Sequence, residues 1–124
     1  MKANVYVAWI GVFLGCLFGA IQGLFFHRED WLGGYGSWRR RMLRLGHISF
    51  LGLAFINLAF VFTASELGIT SGLAWPSRLF IVGAATMPLV CYLSAFKSVF
   101  RHFFFIPVLS VLCGVGMFLW RILF

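Results

Sequence analysis

Four apolar stretches, separated by short segments that hold almost every charge, dominate this sequence. They run Val5–Phe26, Met42–Ala64, Leu79–Phe96 and Phe103–Trp120; none contains Asp, Glu or Lys, and Arg44, near the start of the second, is the one Arg inside them. About 20 helical residues cross a hydrocarbon core of ~30 Å, so each stretch is long enough to span a bilayer. Lipid offers no water to unpaired N–H and C=O groups, which makes each span a helix. The expected fold class is an all-α integral membrane protein: one domain over residues 1–124, a bundle of four transmembrane helices.

The remainder of the chain leaves no room for a soluble domain. Of its 124 residues 62% are hydrophobic, the mean hydropathy is +0.99, and the longest connection, His27–Arg41, has only 15 residues. The first apolar run is too long for the core of a signal peptide and lacks a small-residue cleavage site, so it is expected to remain as a membrane anchor. Cys16, Cys91 and Cys113 all fall inside the spans without a CxxC pair. They read as small packing residues, with neither a zinc site nor a disulfide framework.

A net charge of +7 would suggest nucleic acid in a soluble protein, but its distribution points to lipid. Arg28, Arg39, Arg40, Arg41, Arg44, Lys97 and Arg101 flank the first and third connections, whereas Lys2, Arg78 and Arg121 lie on the other side. The positive-inside rule then places those two connections in the cytoplasm and both termini on the non-cytoplasmic side. Trp9, Trp75 and Trp120 fall at the outer interface and Trp31 and Trp38 at the cytoplasmic one, the level amphipathic indoles prefer. Arg39–Arg41 read first as contacts to anionic lipid head groups and second as a dock for an acidic partner.

Within the first span, Gly11, Gly15, Gly19 and Gly23 recur at every fourth position. Helices gain little hydrophobic drive in lipid, so a face of small residues that admits close backbone approach is a packing surface. Its partner is span two of the same chain or a helix of another subunit. Asn57, deep in span two, is expected to form an interhelical hydrogen bond, and Glu66 to pair with Arg78 or solvent. Trp31–Ser37 reads WLGGYGS, a glycine-rich turn that lacks the GK[ST] ending of a phosphate loop. Pro88 frees the carbonyl near Ala84 and predicts a kink in span three, with Thr86 close enough to satisfy freed groups. Pro107, in the first turn of span four, costs less.

Polar residues gather at one level. His47 follows Arg44 by three residues, His102 follows Arg101 at the start of span four, and Gln22 lies one turn from the end of span one. Two histidines on different helices are candidate axial ligands of a b-type haem, with Arg44 and Arg101 placed for its propionates. The same level would also suit a quinone or lipid pocket. Against both stands the ordinary role of a histidine near a helix end, hydrogen-bonded or facing head groups; His27, in a loop, is the weakest candidate.

No span carries a carboxylate, the group proton-coupled transporters place at their binding sites. In size and span count the chain is similar to the small multidrug transporters, yet their first-span glutamate has no counterpart. Neither a Ser-His-Asp set nor an HExxH nor paired carboxylates occur, so no stand-alone enzyme is expected. The leading expectation is a small accessory subunit of a larger membrane complex, taken to be a respiratory or photosynthetic electron-transfer assembly. The alternatives are a small membrane cytochrome b and an oligomeric transporter or channel. Expected partners are membrane lipids and other membrane subunits or copies of the chain, with no nucleic acid. The expected location is a bacterial inner membrane or an equivalent energy-transducing one.

Overall fold

A computed structural model describes Met1–Phe124 as four helices and no strand. They are α1 (Lys2–Gly23), α2 (Trp38–Glu66), α3 (Ala74–Phe96) and α4 (Phe105–Leu123), with single 3₁₀ segments at Trp31–Gly33 and Ser98–Phe103. All four are long and apolar enough to cross a membrane. Along the chain each helix packs on the one before it, and α1 also touches α3.

The helix ends follow local chemistry. α2 begins at Trp38, four residues before the apolar stretch, because the Ser37 hydroxyl accepts the Arg40 N–H at 3.2 Å as an N-cap. α3 begins at Ala74, which places Pro76 in the first turn, where a missing N–H leaves no helix bond unmade. Pro88 is buried inside α3, and the helix continues through it to Phe96. Thr86 donates to the Val82 carbonyl at 2.6 Å rather than to that of Ala84. Pro107 is the third residue of α4. Between α1 and α2 the backbone passes through three left-handed positions in a row, Leu32, Gly33 and Gly34 (φ 54°, 89° and 97°). The two glycines take that conformation freely, and Leu32 is held in it.

Glycine brings the helices together at every main interface. A Cβ on Gly11 would lie 3.2 Å from the Phe50 carbonyl, one on Gly15 would lie 2.9 Å from the Leu51 side chain, and one on Gly19 would collide with the His47 ring. Gly11, Gly15 and Gly19 therefore face α2 of the same chain, while a Cβ on Gly23 would meet nothing within 4 Å. Gly46 of α2 lies under the Tyr92 ring, and Gly83 and Gly114 at the α3–α4 interface lie against Val111 and Phe80. Close approach multiplies the dispersion contacts between helices.

Two aromatic clusters fill the gaps that remain. At the end with the 67–73 connection, Phe60, Ala64, Leu73, Phe80 and Phe118 form a buried core. There the Phe60 ring lies 5.2 Å from Phe80 and meets Phe118 edge-on at 4.8 Å. Toward the other end Phe18 lies between Phe50 at 5.6 Å and Tyr92 at 5.3 Å. Large side chains pointing away from the helix seams are exposed, as on Phe13, Phe55, Phe62 and Leu112.

Candidate functional site

Three groups of polar side chains occupy this apolar framework. The first joins α1, α2 and α3 through Asn4 and Asn57, both 0% exposed. The Asn4 amide donates to Asn57 Oδ1 at 2.8 Å and to the Ser77 carbonyl at 3.1 Å, and accepts a short bond from the Ser77 hydroxyl. The Asn57 amide donates to the Leu53 carbonyl at 2.8 Å and to that of Phe80 at 3.3 Å. Every polar atom of both amide side chains thus has a partner, the condition under which buried amides are tolerated. The set locks register and leaves no donor for a ligand.

The second group surrounds Arg40, which is also 0% exposed. Its guanidinium donates to the carbonyls of Arg28 at 2.8 Å and Phe26 at 2.7 Å. Its central carbon lies 3.9 Å from the Tyr35 ring centre, 4.8 Å from Phe26 and 5.4 Å from Trp31. Nε has no partner. Of the triplet expected at lipid head groups, then, Arg39 and Arg41 are exposed and Arg40 is enclosed by its own connection. The cause is the run Phe26, Trp31 and Tyr35, whose ring faces attract a cation and whose turn exposes carbonyls to it. That combination of aromatic spacing and open turn was the available signal. Trp38, expected at the interface, donates its indole N–H to the Ser94 carbonyl at 2.8 Å and so ties α2 to α3.

The third group lies in the α1–α2 seam at the end that carries the 24–37 connection. Gly19, Gln22, Gly23, Phe26, Arg44 and His47 line a groove of about 290 Å³. Gln22 donates to the Tyr92 hydroxyl at 2.6 Å, and Arg44 donates to the Tyr35 carbonyl at 3.1 Å. The His47 ring rests against Gly19, and its Nδ1 is buried without a partner.

His102 is elsewhere. It is exposed on the 3₁₀ segment Ser98–Phe103, which packs on α3, and Arg101 beside it donates to its own turn at Ser98. His47 lies against Gly19 of α1, whereas His102 is exposed on the connection between α3 and α4. His27 is exposed in the first connection, and Arg78 lies over the Trp75 ring at 5.5 Å with Glu66 exposed at the end of α2. No cluster of three or more His, Cys, Asp or Glu side chains could hold a metal ion. The groove pairs a cation with an imidazole, an arrangement that can hold an acceptor-rich group. Comparison with protein-family profiles, curated proteins and solved structures yields no match.

Proposed function

We propose that this chain is an accessory subunit of a larger membrane complex, inserted with the Arg-rich first connection on the cytoplasmic side. The supporting observation is how the interior polar groups are used. Asn4, Asn57, Ser77, Gln22, Tyr92, Trp38 and Arg40 bond from helix to helix or from helix to connection. They hold the bundle together, while the outermost helices keep broad faces without partners. α4 buries only Pro107, Gly114 and Phe118, and a Cβ on Gly116 would meet nothing within 4 Å. Small residues on an open transmembrane face suit close approach by another helix. His102 is exposed on the connection after α3 and does not line the groove of His47, so the proposal rests on the packing role itself.

The test is purification of the tagged full-length chain from its own membrane in mild detergent, followed by native mass spectrometry. A defined hetero-oligomer is expected. Gly116→Leu, at a position where an added Cβ would meet nothing within 4 Å, should reduce co-purification while leaving unfolding nearly unchanged. Recovery of the chain only as a monomer or homo-oligomer refutes the proposal.

A further inference from the structure

We propose that the α1–α2 groove is a binding site for the phosphate of an anionic glycerophospholipid. It shares with the accessory role only insertion in a membrane. Five of the six lining residues are glycine or polar, and the sixth is Phe26. The His47 ring covers Gly19, but Gly23 leaves the α1 backbone bare and the space above it is open. A ligand can therefore approach the helix more closely than any side chain would permit.

Two donors face that space. Arg44 gives one nitrogen to the Tyr35 carbonyl, which leaves its remaining N–H groups without a protein partner. His47 has its Nδ1 buried and unpaired against Gly19. A buried N–H with no acceptor is costly, so Nε2 rather than Nδ1 is the nitrogen of this ring that can serve a ligand. The groove therefore offers guanidinium and imidazole N–H groups together. The three acids of the chain, Glu29, Asp30 and Glu66, do not line it. Its positive charge is unbalanced, and a phosphodiester supplies both the missing anion and the oxygen acceptors.

The surroundings select a lipid over a free anion. Ile48, Phe55 and Phe62 follow Arg44 by four, eleven and eighteen residues, on one stripe of α2. They are 61%, 63% and 68% exposed. An amphiphile with its phosphate at Arg44 and His47 would lay acyl chains along that stripe. Arg28, Arg39, Arg41, Lys97 and Arg101 at this end are exposed and outnumber Glu29 and Asp30, so the field around the groove is positive, which disfavours a zwitterionic head group bearing its own cation.

The experiment uses the full chain, delipidated in detergent and titrated with phosphatidylglycerol or phosphatidylcholine, with bound lipid counted by native mass spectrometry. One phosphatidylglycerol per chain is expected, with phosphatidylcholine retained far less and millimolar inorganic phosphate unable to displace the lipid. Arg44→Gln should lower affinity roughly tenfold, as the loss of one charge-assisted hydrogen bond requires. Arg44→Lys should recover part of it. Gly23→Leu, whose Cβ would meet nothing within 4 Å and whose side chain would occupy the groove, should abolish retention, and Arg41→Gln, outside the groove, should lower it far less than Arg44→Gln. Detergent unfolding checks that each variant is folded. Undiminished lipid in Gly23→Leu overturns the site. Equal losses in Arg41→Gln and Arg44→Gln would show diffuse attraction to a basic surface instead. Equal retention of phosphatidylcholine, or displacement by inorganic phosphate, overturns the assignment of an anionic lipid.

Discussion

Arg40 provides the sharpest test of how the first connection is held. Its two bonds to the Phe26 and Arg28 carbonyls are charge-assisted, each contributing about 1.5–3 kcal/mol. The Tyr35 ring at 3.9 Å adds about 0.5–2 kcal/mol. Burial of a cation without a carboxylate, with Nε unpaired, offsets several kcal/mol of that gain. Arg40→Ala ends the desolvation cost, yet it leaves the Phe26 carbonyl without its donor and a void beneath three rings. The net effect is a loss of about 3 kcal/mol. Arg40→Met refills the volume and should lose about 1 kcal/mol, whereas Arg40→Lys keeps the charge without the fork and should lie between them. The assay is unfolding in mixed detergent micelles, paired with limited proteolysis of residues 24–37. A loss of about 3 kcal/mol raises the open population roughly a hundredfold, and cleavage should accelerate in proportion. If Arg40→Ala falls within about 0.5 kcal/mol of the parent and is cut no faster, the enclosure does not hold the connection.

Three further outcomes are expected. A double-mutant cycle of Asn4→Ala and Asn57→Ala should show a coupling of about 0.6 kcal/mol, and at most about 1.7 kcal/mol, in detergent unfolding, the average and upper values for bonds between membrane helices; zero coupling would mean that their hydrogen bond does not stabilise the bundle. Gly15→Leu and Gly19→Leu should each cost at least about 1–3 kcal/mol by overpacking the α1–α2 seam, with Gly23→Leu near neutral in the same unfolding assay. Equal tolerance at all three positions would contradict the seam. A reduced-minus-oxidised absorbance spectrum of the purified chain should lack a b-type α-band that depends on both histidines. A band abolished by His47→Ala and also by His102→Ala would show that the two rings meet.

Hydropathy made the four helices legible because a stretch long and apolar enough to cross a bilayer can do so only with its backbone bonds closed within a helix. The glycine periodicity of α1 likewise announced a packing face, since absent side chains are visible in a sequence. Which helix would use that face was a tertiary matter, and the structure assigns Gly11, Gly15 and Gly19 to α2 and leaves Gly23 open. Asn57 read as a buried amide in search of a partner, but Asn4 did not stand out, because a polar residue near the start of a span is ordinarily at the interface. Only the packing of α1 against α2 and α3 buries it.

Arg40 and the histidines show the same division from opposite sides. Three consecutive arginines looked equivalent along the chain, and helical geometry turned the middle one toward the aromatic connection while its neighbours stayed exposed. His47 and His102 looked equivalent in depth, yet His47 lies against α1 while His102 is exposed on a 3₁₀ segment ahead of α4. Position along a helix follows from counting residues, and that much the sequence determined by itself. Direction around the helix, and the neighbour found there, depend on which faces pack, and only the tertiary structure decided them.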